Sequence, residues 1–550
     1  MADASRREKL LAFGGVLTVL FLSSLNMTVV GTALPRIIAE LNGFDLYAWA
    51  FTSFSLASTV TLPIYGRISD VIGRRPVLLG GIVAFTAASL LAGLSQTMLQ
   101  LVIFRALQGI GGGALISMTW AAIGDIFAPR ERGRYQGYTG AVFGLSSVIG
   151  PMVGGLVTDT LGWRWVFFVN VPVALLAFEV VRRYLPRSQR RPGTGIDVPG
   201  TALLIVGTVP LLVALTWAST VRPWNDPLVL GLFALSAVGL AAFVWTQYRS
   251  SHPTFDPALF RDRTYRVANA AAFLTGIGLF GAIIYLPLYI QGVQGGSAAS
   301  SGFVLAPLMG GVVLGSTLSG WLSSRNGRYR RWIALGVALM AVGFAVTMGF
   351  GPDTPLWWVV TAMIVLGAGI GPTNSLLTLA VQNALPFAQL GAATSANQFF
   401  RQIGGTLGVT AFGAMVAGHV RRGLPELLPP GLSDTAPEAV ATLSDPNLLT
   451  DPVRLAAVRN ALAPAIGPDR FDAFLAGLRG LLGGALSEVF LVALIVTGVA
   501  LAVVARLPQG EFAEEVDPEA PTATAATAGP TLDGAMGGGG PPSPAASGGS

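Results

Sequence analysis

Two arginines interrupt long apolar runs of this chain: Arg105 in "LVIFRALQGIGGG" and Arg401 in "ANQFFRQIGGTLGV". A charged side chain inside a membrane is costly unless it faces protein or water, so each marks a candidate functional position. Gln108 follows Arg105 by three residues and shares its helix face. Guanidinium and amide groups placed in this way can hold polar atoms of a substrate.

Amides and tyrosines in other apolar runs are further candidates for substrate binding. Asn26 lies among mostly apolar neighbours in "SLNMTVVGTALP", where its amide can bind a substrate or a water. Each such hydrogen bond contributes about 1 kcal/mol net. The remaining candidates are Tyr285 and Tyr289 on either side of Pro287, Asn374 beside Pro372, and Asn397, Gln398 and Gln402 beside Arg401.

Each candidate has a structural alternative that the residues alone leave open. Asn26 can bridge two helices, and Arg105 can be a buried arginine hydrogen-bonded to carbonyls. Arg401 can extend to the inner membrane interface, because long cationic side chains reach for water. The two tyrosines can belong to an aromatic stripe that packs in the core.

Several kinds of chemistry are excluded by residue counts. The chain has no cysteine and two histidines, His252 and His419, which fall in different loops. Disulfides, thiolate metal sites, a zinc site and a Ser/His/Asp triad are therefore not expected. Lys9 is the single lysine, so the chain lacks a Gly-Lys-Ser/Thr phosphate-binding loop. We expect no enzyme activity, no cofactor and no metal.

The composition is that of a polytopic membrane protein. The chain has 550 residues, of which 52% are hydrophobic and 11% charged, and its mean hydropathy is +0.63. A soluble domain carries about a quarter charged residues, which this chain lacks. The pI of about 9.9 also suits a nucleic-acid binder. The basic residues, however, form short clusters between apolar runs, so we expect no nucleic-acid partner.

Fourteen apolar runs reach the length of about 20 residues that a helix needs to cross a membrane. They lie near 11-33, 47-65, 77-95, 101-124, 136-158, 165-184, 198-218, 227-247, 267-290, 301-322, 332-350, 356-380, 391-418 and 485-506. The even number places both termini on one side. The first run is too long for a signal peptide and lacks a small-residue cleavage site, so it should remain a span.

Arginines indicate the orientation. The loops after even-numbered spans carry arginine clusters, whereas the short opposite loops hold only Arg36, Arg164 and Arg222. The positive-inside bias then places the clusters and both termini in the cytoplasm. We expect the protein to lie in the inner membrane. The clusters contain Arg67, Arg74, Arg75, Arg130, Arg132, Arg134, Arg182, Arg183, Arg187, Arg190, Arg191, Arg249, Arg261, Arg263, Arg266, Arg325, Arg328, Arg330 and Arg331.

An internal repeat relates the two parts of the chain. "GRISDVIGRR" at 66-75 aligns with "GWLSSRNGRY" at 320-329, so that Gly66, Ser69, Gly73 and Arg74 match Gly320, Ser323, Gly327 and Arg328. Two related halves with a site between them are typical of secondary transporters. We expect an all-α fold made of a bundle at 1-190, two additional spans at 191-266 and a second bundle at 267-506.

Two stretches are expected outside the membrane. Residues 419-484 are predicted to be an extracytoplasmic loop within the second bundle, with short amphipathic helices in "DPVRLAAVRNALAPAIGPDRFDAFLAGLRGLL". Residues 507-550 are rich in Ala, Gly, Pro and Ser and are predicted to form a disordered cytoplasmic tail.

Three motifs resemble those of the major facilitator superfamily. "GRISDVIGRRPVLL" is similar to its Gly-x-Leu-x-Asp-x-x-Gly-Arg-Arg/Lys loop signature, and "RALQG" to its Arg-x-x-Gln-Gly motif in the fourth helix. "GPMVGG" at 150-155 resembles the Gly-Pro-x-x-Gly-Gly motif of the fifth helix in exporters and antiporters. The span count, "TVVGTALP" and "ANQFFRQIGGTLGV" resemble the fourteen-helix drug:proton antiporter branch. The resemblance covers about residues 10 to 506 and implies two pseudo-symmetric six-helix bundles plus two helices.

The resemblance also implies roles for the motif residues. The matching arginine of the family is tied to proton coupling, a role that passes to Arg105. Gly150, Pro151, Gly154 and Gly155 match the motif thought to seal the two halves, although plain helix packing also explains the glycines.

A cytoplasmic gate is predicted from the charges of the first loop. Asp70 and Arg74 lie in it, and Asp125 at the inner end of the fourth span should reach the same face. We expect them to form a lock that stabilises the outward-open state. An exposed pair of this kind contributes about 0 to 1 kcal/mol, which is enough to rebalance two close states. The alternative is that these charges only set the topology.

Asn26 departs from the pattern of the branch. The fourteen-helix relatives commonly show Leu-Asp-x-Thr-x-Val in the first span, and Asn26 stands in the place of that Asp. An asparagine can bind but cannot release a proton. The remaining span carboxylates lie near outer ends (Asp45, Asp159, Glu488) or inner ends (Asp125, Glu179). The residue that carries a coupled proton, and the substrate charge, therefore stay open.

The sequence as a whole predicts a monomeric secondary transporter of the multidrug efflux type, associated with antibiotic resistance. It would export amphiphilic small molecules by alternating access, coupled to protons, with membrane lipid around it. A lipid or glycolipid flippase on the same fold is the alternative, and a non-transporting membrane scaffold or sensor is a further one. The role of residues 419-484 is not readable from the sequence.

Overall fold

The computed structural model of the protein describes residues 5–41, 46–186, 195–220, 222–296, 298–386, 389–428, 443, 448–450 and 452–509. These residues form α-helices with short 3₁₀ and π segments and contain no β-strand. The helices are α1 Arg6–Leu41, α2 Tyr47–Ile72, α3 Arg74–Gly93, α4 Met98–Ile126, α5 Pro129–Thr160, α6 Arg164–Phe168, α7 Asn170–Tyr184, α8 Val198–Thr220, α9 Pro227–Gln247, α10 Arg263–Leu288, α11 Ala298–Asn326, α12 Arg330–Thr347, α13 Leu356–Ala384, α14 Leu390–Leu427, α15 Pro452–Ile466 and α16 Pro468–Val504.

The described helices confirm an all-α membrane fold. Thirteen of the helical segments in this part of the chain are long and apolar enough to cross a membrane. Helix α2, which contains the second predicted span, is not among them although it is 26 residues long. At 1.5 Å per residue it extends about 39 Å, which is long enough to cross the hydrocarbon layer.

The same helix pairs pack in both halves, as the repeat predicts. In the first half α4 packs against α2 and α3, and α1 packs against α5 and α7. In the second half α13 packs against α11 and α12, and α10 packs against α14 and α16. Helices α8 and α9 form an additional hairpin, in which Gly207 and Gly239 let the two backbones approach closely.

The repeated loops turn in the same way. Gly73 and Gly327 have φ values of 94° and 69°, a region that side-chain-bearing residues rarely adopt. Ser69 and Ser323 each donate a hydrogen bond to the carbonyl of the matching glycine three residues earlier. The two loops lie at one end of the bundle, which we call the arginine-rich end. We call the opposite end the far end.

The prediction that residues 419–484 form an extracytoplasmic loop is partly wrong. Helix α14 continues to Leu427 and α16 begins at Pro468, so helical structure occupies both edges of that stretch. Apolar side chains explain the extension, because Leu424 and Leu427 pack in one cluster with Leu478 and Leu481 of α16. The predicted disordered tail lies outside the described residues from position 510 onward.

Candidate functional site

Arg105 is fully buried inside the first half and bonded to protein groups. Its Nε donates to the Ala50 carbonyl at 3.1 Å, and its Nη1 donates to Gln108 Oε1 at 2.6 Å. The guanidinium also lies 4.5 Å from the ring centroid of Phe54, a favourable cation–π arrangement. The structure therefore places Arg105 between α4 and α2, and a polar network satisfies part of its donors.

The same network continues to Asn26. Gln108 Nε2 and Asn170 Nδ2 both donate to Asn26 Oδ1, at 3.2 and 3.3 Å. Asn170 also donates to Ser89 Oγ at 3.1 Å. Asn26 is fully buried, so in this conformation it bridges α4 and α7 and does not face an open cavity. Substrate binding by Asn26 and Gln108 stays a prediction, which requires another conformation.

Asn26→Asp is expected to introduce pH-dependent transport of cations. An aspartate keeps the acceptor oxygen that Gln108 and Asn170 use, and its second oxygen replaces Asn26 Nδ2, which has no hydrogen-bond partner among the described residues. The substitution is nearly isosteric, so folding should be preserved while a titratable group is gained. Uptake of a permanent organic cation into proteoliposomes at several pH values measures the effect. An unchanged pH profile with normal protein levels would show that Asn26 only bridges helices.

Arg401 belongs to a separate polar network in the second half. Its Nη1 donates to the Asn374 carbonyl at 3.2 Å, and its Nη2 donates to Asn397 Oδ1 at 3.2 Å. Asn397 Nδ2 in turn donates to Asn269 Oδ1 at 3.0 Å. Arg401 is 5% exposed, so it does not extend to the membrane interface in the way that the alternative required.

The other candidate residues of the second half are also engaged. Tyr285 donates its hydroxyl to the Val409 carbonyl and Tyr289 donates to the Gly351 carbonyl, each at 2.8 Å. Gln398 Nε2 donates to Thr378 Oγ1 at 3.3 Å. Tyr285 packs edge-on against Phe412, in agreement with the core-packing alternative. Among the described residues, no hydrogen bond joins these residues to the Asn26 network.

The predicted gate residues form one connected group at the arginine-rich end. Arg74 Nη2 lies 2.7 Å from Asp70 Oδ1, and Arg74 Nε lies 3.2 Å from Asp125 Oδ2. The three side chains are between 3% and 11% exposed, so the expectation of an exposed pair was wrong. Loop α2–α3 is covered by α14 of the other half, which removes water from the pair and strengthens it. We call Asp70, Arg74 and Asp125 the charged lock.

Asp70 also connects the two halves directly. Its carboxylate accepts hydrogen bonds from the backbone N–H of Gly391 at 3.1 Å and of Ala392 at 2.8 Å. These N–H groups lie in the first turn of α14, where no carbonyl of the helix can accept them. The positive end of the helix dipole favours a carboxylate there. Asp70 therefore caps a helix of the second half from the first half.

The α5 motif packs within the first half. A Cβ at Gly150 would press on Thr28 of α1, and one at Gly154 would lie 2.8 Å from the Val29 carbonyl. Gly155 has open space beside it, and Pro151 lies within the helix. Helix packing thus explains Gly150 and Gly154. The gating role of the four residues stays a prediction.

Several polar residues between the halves are not marked by any of the sequence motifs. Gln136 Nε2 of α5 donates to Gln382 Oε1 of α13 at 2.8 Å, and Gln382 donates to the Trp120 carbonyl at 2.9 Å. Ser117 of α4 and Ser395 of α14 are hydrogen-bonded to each other. These residues lie in apolar spans just as Asn26 does, so the same rule could have identified them.

The hydrogen bonds that join described residues of the two halves lie in the arginine-rich half of the bundle. The halves are therefore held together at that end by the charged lock, the glutamine pair and the serine pair. Such contacts can break and re-form as the halves rock, which gives access to the space between them from either end. Within the described ranges, no group of three or more His, Asp or Glu residues lies in an arrangement that could hold a metal ion.

Comparisons with known proteins agree with this architecture. The sequence profile of the Major Facilitator Superfamily matches residues 16–409. The multidrug transporter protein MdtP of Bacillus subtilis is 37% identical over 437 residues, which are 80% of this chain and 81% of that protein. Multidrug resistance protein 3 of the same organism is 38% identical over 401 residues, or 73% and 78%. The human organic anion transporter MFSD10 (TETRAN) has a TM-score of 0.57 at 15% identity, covering 89% and 99%, a likeness in fold alone.

Proposed function

The chain belongs to the major facilitator superfamily, and we propose that it is a secondary exporter of amphiphilic small molecules that works by alternating access. The observation that supports this most strongly is the closed arginine-rich end, where Asp70 caps α14 and pairs with Arg74. A contact of this kind stabilises one of two states and must break for the other to form. A transporter requires such a pair of states, whereas a scaffold does not.

The direction of transport follows from the proposed orientation. We propose that the arginine-rich end faces the cytoplasm, that the protein lies in the inner membrane and that both termini are cytoplasmic. The closed state is then the outward-open one, and a substrate enters when the charged lock breaks. The relatives named as multidrug proteins support a multidrug range. We propose that this range includes antibiotics and that a monomer is the working unit.

Protons are the proposed energy source, with Arg105 in the coupling role. Buried in the first half, Arg105 reaches Asn26 through Gln108, so a change at either end alters the other. The charged-lock carboxylates, Asp70 and Asp125, are the titratable groups that lie nearest to the moving contact. They are the candidates for the proton site, since protonating either one removes a charge that Arg74 needs.

Transport into proteoliposomes with an imposed pH gradient tests the proposal. Cationic, neutral and anionic amphiphiles should be compared, with and without a protonophore. We expect accumulation of at least one compound at several times its passive rate, and loss of that accumulation when the gradient is dissipated. Transport that ignores the gradient for every compound would remove proton coupling, and no transport of any compound would remove the exporter.

A lipid or glycolipid flippase is the second candidate. It is favoured by one specific observation, which is that the contact between α5 and α11 faces the membrane: Leu145, Leu314 and Leu318 there are 54%, 66% and 57% exposed. Fluorescent phospholipid movement across the bilayer of the same proteoliposomes, read by quenching of the outer leaflet, distinguishes the two functions.

A further inference from the structure

The two halves of the bundle meet along two seams. One seam lies between α2 and α14, and the other between α5 and α11. In a rocking bundle both seams part at the end that opens. A molecule dissolved in the membrane can enter the space between the halves only through a seam whose outer side is free. The two seams differ in this respect.

The α8–α9 hairpin covers the α2–α14 seam. Leu212 and Leu215 of α8 form one apolar cluster with Val60 of α2, and Leu407 of α14 packs against the same cluster. Helix α8 therefore contacts both sides of the seam. Nearer the far end, the rings of Trp49 and Trp217 meet edge to face at 6.2 Å. Lipid has no direct approach to this seam while the hairpin is in place.

The α5–α11 seam instead faces the membrane. Leu145 of α5 and Leu314 of α11 are more than half exposed, as a side chain in contact with lipid tails would be. The helices approach closely, because a Cβ at Gly137 would lie 2.8 Å from the Ser316 carbonyl and one at Gly144 would lie 3.1 Å from the Met309 carbonyl. Close packing of this kind seals the seam in the present state.

Neutral contacts hold the α5–α11 seam, in contrast to the charged lock. At the position that Asp70 occupies in the first half, the repeat has Ser324, whose Oγ accepts from the backbone N–H of Arg134 at 3.0 Å. A neutral bond of this type contributes less than a charge-assisted one. At the arginine-rich end, the α5–α11 seam is thus held by a weaker polar contact than the α2–α14 seam.

Two polar atoms along α5 and α11 lack partners in the closed state. Ser316 is fully buried, its hydroxyl is aimed at Gly140 of α5, and its Oγ has no hydrogen-bond partner among the described residues. Gln136 is also fully buried, and its Oε1 is unpartnered although its Nε2 bonds Gln382. Buried polar atoms are nearly always paired, so these two indicate polar partners that arrive when the seam parts. The Ser316 hydroxyl can donate to an anionic head group, whereas Gln136 Oε1 can only accept, as from a water that enters with it.

Charged residues at the arginine-rich end of the α5–α11 seam, which we call the rim, indicate the kind of head group that the entering molecule carries. Arg134 of α5 and Arg325 of α11 are both exposed at the arginine-rich end of the seam, with one exposed carboxylate nearby in sequence, Glu131. Arg325 also lies 5.4 Å from the Trp321 ring, in the pairing of cation and aromatic that suits a membrane interface. The rim therefore favours an anionic head above an apolar tail.

We propose that the α5–α11 seam is a lateral portal through which an amphiphile with an anionic head enters from the leaflet at the arginine-rich end. This inference depends on the proposed alternating access. It adds the route by which the substrate enters and the chemical class of that substrate. The tail passes between Leu145 and Leu314, and the head accepts a hydrogen bond from the Ser316 hydroxyl as the seam parts. A free anionic amphiphile and an anionic phospholipid share this chemistry, and the test separates them.

Ser316→Ala tests the polar contact. We expect the KM for an anionic single-chain fluorescent amphiphile to rise about fivefold, the loss of one hydrogen bond of roughly 1 kcal/mol. The thermal unfolding midpoint should stay unchanged, because the hydroxyl has no partner to lose in the closed state. Ser319→Ala is the matched control, since Ser319 Oγ bonds the Ser316 carbonyl within α11. Equal KM values for parent and Ser316→Ala, or equal rises in both variants, would overturn the role of Ser316.

Photolabelling tests the route. A diazirine placed in the tail of the anionic amphiphile, of an anionic phospholipid or of a cationic amphiphile is activated in proteoliposomes, and labelled peptides are mapped. We expect an anionic probe to label Leu145 and Leu314, and an excess of a transported compound to remove that label. Label at Val238 of α9, which is 68% exposed, should not be removed. Which anionic probe labels competitively identifies the source of the head group.

The outcomes separate the portal from the proposed function. If a compound is transported but competitive label is missing from α5 and α11, or is found for the cationic probe alone, the portal is wrong and the exporter stands. If no compound is transported, the proposed exporter function is wrong, whatever the labelling shows. Competitive label on α2 or α14 would place the entrance at the covered seam and would also overturn the inference.

Discussion

Asp70→Asn is expected to lower the transport rate at least about tenfold and to shift the protein away from the state that is closed at the arginine-rich end. The substitution removes a charge that pairs with Arg74 at 2.7 Å and accepts two N–H groups of α14. Breaking a buried ion pair costs about 3–5 kcal/mol, and Arg74 retains Asp125, so the effect should lie toward the lower end. Even 1.4 kcal/mol changes the ratio of two states tenfold.

Because the chain has no cysteine, opening of the arginine-rich end in Asp70→Asn can be measured with labels on introduced cysteines. Cysteines at Glu131 of α5 and Asn326 of α11, both exposed, accept spin labels without a background. The distance between the labels should lengthen in Asp70→Asn. Asp226→Asn is the matched control, because its pair with Arg222 is exposed and such pairs contribute about 0–1 kcal/mol. An unchanged distance with unchanged transport would show that Asp70 only sets the topology.

Arg105→Gln is expected to abolish accumulation driven by the pH gradient and to lower the transport rate about a hundredfold. The shorter side chain cannot reach the Ala50 carbonyl and bond Gln108 together, so buried acceptors lose their donors. Each buried acceptor left unpaired costs about 1–3 kcal/mol. Arg105→Lys keeps the charge but loses the two-pronged geometry, and we expect an intermediate rate.

The measurement for Arg105 is counterflow compared with gradient-driven uptake. Counterflow needs alternating access without net proton movement, so a pure coupling defect would preserve it. Arg249→Gln serves as the control, since Arg249 is exposed beside the ring of Trp245. Gradient-driven uptake by Arg105→Gln at the rate of the parent protein would refute the coupling role. Loss of counterflow and uptake together, with normal folding, would indicate a structural role.

The sequence predicted the repeat and the residues of the charged lock because both depend on residue type at a fixed spacing. It did not predict that Asp70 binds backbone N–H groups of α14, since every residue carries such groups and no side chain marks them. The cavity role of Asn26 depended on how α1 is rotated about its own axis, which the polarity of a single residue does not determine. The structure shows an asparagine bonded by Gln108 and Asn170.

The lengths of the helices could not be predicted from hydropathy either. A run of apolar residues reports contact with lipid, whereas α14 continues past His419 because its side chains pack on α16. Helix α2 shows the opposite case. It packs against α4 and α14, and it is a long helix whose hydropathy is too low for it to be recognised as a span by that measure alone. Both differences arise because burial in protein and burial in lipid favour different residues.

The length of α14 has a mechanical consequence. It has 38 residues, so it forms a rod of roughly 57 Å whose first turn is capped by Asp70 and whose last turns pack on α16. If the rod turns by about 10° around its capped end, its other tip travels roughly 10 Å. A small displacement beside Asp70 thus becomes a large one at the opposite membrane surface. A binder that clamps the tip of α14 against α16 would, through the same lever, resist the opening of the charged lock.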